Sequence, residues 1–392
     1  MRKDTVLAHS GRSSERPGPV NVPVYRASTV VFESVEATER ATQSRFEGLY
    51  YGRYGTPTTF ALEETVAQLE GGYRAIAVSS GLAAITATIQ AFAKSGDHIL
   101  VPDSVYGPVR HLCDSVLDGL GITTAYYDPL AGARIEAQLR PNTRLLYLES
   151  PGSLTFEVQD VPAMLAVARK RAIPTAIDNT WATPYYYSAV AAGVDVSLHS
   201  GTKYIGGHSD LLLGMIVTNE AVYEKVRATV VALGFSCSAD EAYLALRGLR
   251  TLGVRLERHY ASGLAVAKWL ERRPEVARIL HPAFASCPGH ELWKRDFSGA
   301  SGLFSFVLRP GFTRDSIRAM IDGLEFFSIG YSWGGFESLA LLAHPEKVRT
   351  ATPWTEPGAV IRLHIGLEDP HDLIADLERG FSRLVTGPSR TR

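Results

Sequence analysis

Apolar positions along this chain follow two periods that take turns. After Thr58, Leu62, Val66 and Leu69 recur at helical spacing, and Gly71-Gly72 ends that run. From there, short apolar runs alternate with helical ones. The pattern predicts strands over 75–79, 98–101, 123–127, 144–149, 175–177 and 211–217. Between them it predicts helices over 81–94, 106–117, 133–139, 161–172 and 187–192. Such alternation implies an α/β fold whose mostly parallel sheet carries helices on both faces. In that architecture ligands sit at the carboxyl ends of the strands. Ser80, Asp178 and Lys203 all fall at such ends, so residues far apart in sequence can converge.

The period changes on either side of this region. Residues 1–55 lack a sustained repeat and carry Pro17, Pro19 and Pro23. A long irregular arm of this kind is usually functional or packs on another subunit. Residues 221–233 and 240–273 read as mostly helical, and Pro274 ends the long amphipathic run. Beyond it, strand-like 302–308 and 360–365 and helices over 315–322 and 373–380 give a smaller C-terminal α+β domain. The expected organisation is an arm over 1–55, a ligand-binding domain over 56–250 and a C-terminal domain over 251–392. Alternation in 361–365 is strict, so Arg362 and His364 share one strand face. The apolar flanks of Arg362 favour a partly buried cleft position over a solvent-facing one.

Composition narrows the class. The 392 residues carry a net charge of −1 and no basic block, which argues against nucleic acid as a partner. The three cysteines, Cys113, Cys237 and Cys287, are scattered and have no metal spacing. Three reduced thiols in a reducing, cytoplasmic compartment and no metal site are expected. The charged start Met1-Arg2-Lys3-Asp4-Thr5 is followed by no apolar run, and no stretch of about 18 apolar residues offers a membrane span.

The candidate chemistry centres on His199-Ser200-Gly201-Thr202-Lys203. An ammonium among hydroxyls and glycines suits a ligand that bears both a phosphate and a carbonyl, with which a lysine can form a Schiff base. The plain alternative is a strand-end lysine in a surface ion pair. Ser80-Gly81-Leu82 opens a helix directly after a strand, which makes an anion site of its free N–H groups. Asp178 ends another strand and needs a partner if it is buried. An Asp facing a pyridinium and a Lys facing an aldehyde is the arrangement that pyridoxal phosphate requires. Tyr106, after a further strand, could cover a cofactor face or be an ordinary core tyrosine. Tyr51 and Arg53, at the end of the arm, offer a phenol and a guanidinium to a phosphate, or form an aromatic loop with a solvated arginine.

Together these stretches resemble the fold-type I pyridoxal-phosphate enzymes of cysteine and methionine metabolism, and among them the bacterial cystathionine β-lyases. The resemblance runs from about Thr5 to Leu384. It rests on Tyr51-Gly52-Arg53, Leu69-Glu70-Gly71-Gly72, Ser80-Gly81-Leu82, Leu148-Glu149-Ser150-Pro151, Asp178-Asn179-Thr180 and Ser200-Gly201-Thr202-Lys203. The most specific stretches are Tyr331-Ser332-Trp333-Gly334-Gly335-Phe336-Glu337-Ser338 and Arg362-Leu363-His364-Ile365-Gly366-Leu367-Glu368. Ser332-Trp333-Gly334-Gly335 points to the β-lyase branch rather than the γ-acting ones.

The resemblance implies an aspartate-aminotransferase-like fold and the cofactor pyridoxal 5'-phosphate. Lys203 is then the Schiff-base lysine that later moves protons, Asp178 holds the ring nitrogen protonated, and Tyr106 stacks on the ring. Gly81 and Leu82 give N–H groups to the phosphate, and Ser200 and Thr202 give hydroxyls. Tyr51 and Arg53 complete that site from a neighbouring subunit of a homotetramer built from dimers. Arg362 grips the substrate carboxylate, helped by Ser332 and Trp333. The implied reaction is α,β-elimination of L-cystathionine, a small-molecule thioether, to homocysteine, pyruvate and ammonia. Two departures stand out. Leu82 replaces a frequent methionine, which is harmless if only its N–H is used. Arg110 and His111 follow Tyr106 where some relatives carry an acidic residue, so tolerance of several thioethers is expected. The competing readings are a broad cysteine-conjugate lyase, a γ-acting relative, alanine racemisation, and a catalytically silent cofactor-binding scaffold.

Overall fold

The computed structural model describes residues 1–14 and 17–387. Two residues of the expected arm and the last five of the expected C-terminal domain lie outside the described residues. Among the described residues the strands form two sheets. The larger holds β1 (Arg74–Val78), β2 (His98–Pro102), β3 (Thr123–Tyr127), β4 (Thr143–Glu149), β5 (Thr175–Asp178), β6 (Val196–Ser200) and β7 (Gly214–Thr218), in the order β1-β7-β6-β5-β4-β2-β3. The ladders from β3 through β6 are parallel. β7 instead pairs antiparallel with both β1 and β6. A parallel return needs a crossover, usually a helix, and residues 201–213 hold turns over 201–206 and irregular chain in its place.

Alternate residues of one strand enter opposite cores. Ile76, Ile99, Tyr147 and Leu198 pack with Ile85 and Ile89 of the helix Gly81–Phe92 and with Val226 of the helix Glu220–Leu233. Ala77, Leu100, Leu148 and Ile177 pack on the other side with Leu62 and Val66 of the helix Pro57–Glu70 and Met164 of the helix Val161–Lys170. Burial on both faces is why these strands read as apolar runs.

The smaller sheet holds β8 (Val276–Leu280), β9 (Leu303–Leu308), β10 (Phe327–Ser328), β11 (Ser338–Ala343) and β12 (Val360–His364), in the order β10-β11-β12-β9-β8. Ile361 and Leu363 join Phe304 and Phe306 beneath the helices Leu252–Glu271, Arg314–Asp322 and Pro370–Phe381. Arg362 and His364 therefore share the opposite face, as the alternation predicts.

Several local elements differ from expectation. A short helix lies at Thr183–Tyr186 rather than 187–192, with Pro184 in its first turn, where a missing N–H costs nothing. The 133–139 segment is a 3-10 turn over Gly132–Gln138, and the helix from Tyr106 becomes π-helical over Leu112–Leu117. The run 240–273 is two helices, Ala239–Leu249 and Leu252–Glu271. The arm is not wholly irregular: it contains the helices Lys3–His9 and Val35–Gln43, the latter capped by the Ser34 side chain.

Candidate active site

The chain turns sharply where β6 ends. The Lys203 N–H donates to the Ser200 carbonyl at 3.1 Å, and the Gly206 N–H donates to the Gly201 carbonyl at 2.8 Å. This tight turn lifts Lys203 out of the sheet into a cavity of about 320 Å³. The start of the helix Gly81–Phe92 faces it. A Cβ on Gly81 would lie 2.8 Å from the Cβ of Ser200, so only glycine lets the helix N-terminus come this close. Ser80 caps that helix by accepting from the Ala83 N–H at 3.1 Å. Gly81, Leu82, Ser200, Thr202 and Lys203 all line the cavity. Thr202 Oγ1 also accepts from the Leu213 N–H at 3.0 Å, which fastens the turn to the approach of β7.

Asp178 enters from the end of β5. Its Oδ1 accepts from the Thr180 N–H at 2.9 Å, while Thr180 Oγ1 accepts from the Ser200 N–H at 2.8 Å. Thr180 thus ties the ends of β5 and β6 together. Burial pushes the Asp178 carboxyl up, opposed by Thr180, His199 and Lys203. Lys203 is pulled down to about 8, first by burial and then by the Arg362 cation, with Asp178 opposing. An amine in that range can lose its proton near neutral pH.

The third wall comes from the smaller sheet. Arg362 projects from β12, and its Nη2 donates to the Ser332 carbonyl at 3.1 Å. Lys203 Nζ donates to Ser332 Oγ at 2.5 Å and lies 5.5 Å from the Trp333 ring centroid. Gly334, at φ 92°, lets this segment lie against the Lys203 main chain, because a Cβ there would be 2.9 Å from the Lys203 carbonyl carbon. Tyr106, Trp333 and Arg362 line the same cavity. Of the residues singled out from sequence, Lys203, Asp178, Tyr106, Gly81, Leu82, Ser200, Thr202, Trp333 and Arg362 therefore meet in one place, with Ser332 bonded to Lys203.

Tyr51 and Arg53 do not reach this cavity within the chain. They line a separate depression with Tyr25, Arg26 and Asp240, and Arg53 Nη1 donates to the Val231 carbonyl at 2.7 Å. Arg110 and His111, which follow Tyr106 in sequence, do not line the cavity. Arg110 is buried, its Nη2 lies 2.6 Å from Asp103 Oδ1, and its guanidinium carbon is 3.6 Å from the Tyr126 ring centroid. The helix turns that side chain inward, and the Asp103 carboxylate neutralises it there. Glu149, Thr180 and Trp181 also line the cavity and had no role assigned from sequence. Glu149 lay within a motif already singled out, which was the available signal.

These residues fit pyridoxal phosphate. The glycine-narrowed helix N-terminus and flanking hydroxyls suit a phosphate. At the far side, a buried carboxyl suits a protonated ring nitrogen, and an amine so lowered suits an aldehyde. No helix among the described residues is long and apolar enough to cross a membrane.

Residues 4–382 match the family model described as Cys/Met metabolism PLP-dependent enzyme. A protein of Rhizobium johnstonii is 51% identical over 383 residues, covering 97% of this chain and 96% of that one. Cystathionine beta-lyase MetC of Escherichia coli is 47% identical over 390 residues, covering 97% and 98%. The crystal structure of metB from Corynebacterium glutamicum superposes with a TM-score of 0.89 at 31% identity, covering 97% and 98%. With its lysine, aspartate and helix N-terminus gathered in one cavity, the chain belongs to the pyridoxal-phosphate-dependent enzymes of cysteine and methionine metabolism.

Proposed function

We propose that this chain is a pyridoxal-phosphate-dependent carbon–sulfur β-lyase. With uptake of one water, it cleaves L-cystathionine, and other cysteine thioethers, to a thiol such as homocysteine, pyruvate and ammonia. The observation that carries this reading is the convergence of Lys203, Asp178, Tyr106 and Arg362 on one cavity, beside Ser332 and Trp333. The likeness to cystathionine β-lyases across nearly the whole chain supports it.

Pyridoxal phosphate, when bound, supplies the aldehyde that captures the substrate amine and the ring that takes up the electron pair left at Cα. Gly81 and Leu82 hold the phosphate by their N–H groups, with the Ser200 and Thr202 hydroxyls beside them. Asp178 keeps a proton on the ring nitrogen, and Tyr106 covers the ring face. Arg362 holds the substrate carboxylate as a two-pronged fork. Lys203 Nζ, held by Ser332, takes the α-proton and returns a proton as the thiol leaves Cβ. Tyr51 and Arg53 complete the phosphate site of a neighbouring subunit, so the active unit is at least a dimer and the working assembly is a cytoplasmic homotetramer. Residues 56–250 form the cofactor-binding domain and 251–392 the C-terminal one.

Product analysis after incubation with cystathionine tests the reading. Pyruvate with homocysteine is expected. Release of 2-oxobutyrate with cysteine would place the enzyme among its γ-acting relatives, and no cleavage of any thioether would leave a silent scaffold.

A further inference from the structure

We infer that Glu149 is a positioning residue. Its carboxyl, clamped between the Tyr106 amide and the Ser153 hydroxyl, holds Tyr106 over the cofactor and leaves the negative charge of the site to Asp178. This rests on the reading of the cavity as a pyridoxal-phosphate site. Glu149 Oε2 accepts from the Tyr106 N–H at 2.8 Å, and Oε1 lies 2.7 Å from Ser153 Oγ. Tyr106 precedes the helix Gly107–His111, so its N–H has no intrahelical acceptor. Its side of the cavity is open: Tyr106 is 42% exposed. Packing alone does not grip such a ring, and the main-chain anchor decides where it lies.

Glu149 and Asp178 are also register partners at the ends of β4 and β5. Directly paired residues of neighbouring strands point to the same face, and both carboxyls line the cavity. Two buried carboxyls on one wall of a cavity disfavour each other's ionised form, and the pair titrates together. The groups facing Glu149 are Asp178 from β5, Tyr106, Tyr147 from its own strand and Tyr127 from β3, none of them cationic. Asp178 instead feels Lys203 and His199. Burial and the Asp178 charge raise Glu149 to about 8, against the Ser153 and Tyr106 hydrogen bonds that favour its ionised form. Because the neighbouring cations lie on the Asp178 side, the proton of the pair is assigned to Glu149.

Glutamine copies the neutral acid: its carbonyl can accept from Tyr106 and its amide can donate to Ser153 Oγ. The test compares wild-type holoenzyme with E149Q and E149A. E149Q is expected to lose no more than about threefold in kcat, and E149A roughly thirtyfold, because the ring loses its anchor. Infrared difference spectroscopy of the same holoenzymes at neutral pH gives a readout that a structural role would not move. The carbonyl band of a protonated carboxylic acid should be present in wild type and lost in E149Q. Equal losses of kcat in the two variants, or an acid band unchanged by E149Q, overturns the inference while the lyase reading stands. A wild-type protein that neither binds pyridoxal phosphate nor releases pyruvate overturns both.

Discussion

Lys203 Nζ and Ser332 Oγ, 129 residues apart in sequence, lie 2.5 Å from one another. The bond is held from both sides, because the Ser332 carbonyl accepts from Arg362 at 3.1 Å. Ser332 sits at φ 87°, a conformation that costs an ordinary side chain on the order of 1–3 kcal/mol. Ser332→Gly should therefore act in opposite directions on fold and function. Relief of that strain should keep or raise the melting temperature, while loss of the hydroxyl leaves the amine untethered and lowers kcat roughly tenfold. A variant that is destabilised yet fully active would contradict the assigned role of the hydroxyl.

Lys203→Ala should abolish turnover in a folded protein. It also carries a pH signature in the cofactor-free state. The Lys203 value is about 8 in the folded chain against an ordinary 10.5. Between those values the unfolded chain binds more protons, so this lysine costs stability fully below pH 8, and the cost is relieved as the pH rises toward 10.5. Cofactor-free wild type should thus gain stability relative to Lys203→Ala across that window. Thermal melts at pH 7, 8.5 and 10 measure the difference; a gap independent of pH would mean that the amine is solvated.

Strand-end placement was legible in the sequence, because apolar runs mark the buried strands and polar residues mark their exits. Asp178 and Lys203 follow from that, and Arg362 follows from the strict alternation of β12. The contacts that orient them were not legible. Ser332 lies in a segment without periodicity, so nothing in its spacing indicates that Gly334 lets it reach Lys203. Arg110 read as a cation near Tyr106, but its direction depends on Asp103, which precedes the helix and accepts from Thr350 and Thr352 of the distant C-terminal segment. Glu149 was visible in a motif, yet its pairing with Asp178 is a matter of sheet register.

Arg53 is exposed and lies outside the Lys203 cavity. If it serves a neighbouring subunit, Arg53→Ala should weaken cofactor retention by about 1.5–3 kcal/mol through loss of a charge-assisted contact. Hybrids of inactive Arg53→Ala and inactive Lys203→Ala subunits should recover a share of intact sites. Activity staying at the level of the parents in purified hybrids would argue that each subunit works alone.

Arg362 is shifted downward by burial, so its charge sits in a poorly hydrated wall. Lysine keeps the charge and loses the planar fork. Arg362→Lys should lower kcat/KM roughly a hundredfold, about 2.7 kcal/mol. Both KM and kcat should worsen, because a tilted substrate misaligns its Cα–H bond with Lys203. Unchanged kcat/KM for every amino-acid substrate would place Arg362 outside the binding site.

The last expectation concerns breadth. The carboxyl groups lining the cavity, among the described residues, are Glu149 and Asp178, and both have hydrogen-bond partners. Arg110, which could have repelled a distal ammonium, is neutralised by Asp103 away from the cavity. Pro108, Leu154, Phe156 and Leu212 supply apolar lining. With the roles proposed above, cleavage at Cβ would rest on Lys203, Asp178, Tyr106, Ser332, Trp333 and Arg362, none of which must touch the far end of the substrate. Strong rejection of analogues requires buried polar groups that a wrong substrate leaves unpaired, whereas an apolar wall discriminates weakly. Cystine, djenkolate or an S-alkyl cysteine should therefore be cleaved within roughly tenfold of cystathionine, a gap of about 1.4 kcal/mol. Measuring kcat/KM for each compound in one buffer decides the matter. A preference for cystathionine of roughly a thousandfold, about 4 kcal/mol, would mean that a neighbouring subunit brings a carboxylate to the distal ammonium, and the enzyme would then be dedicated rather than broad.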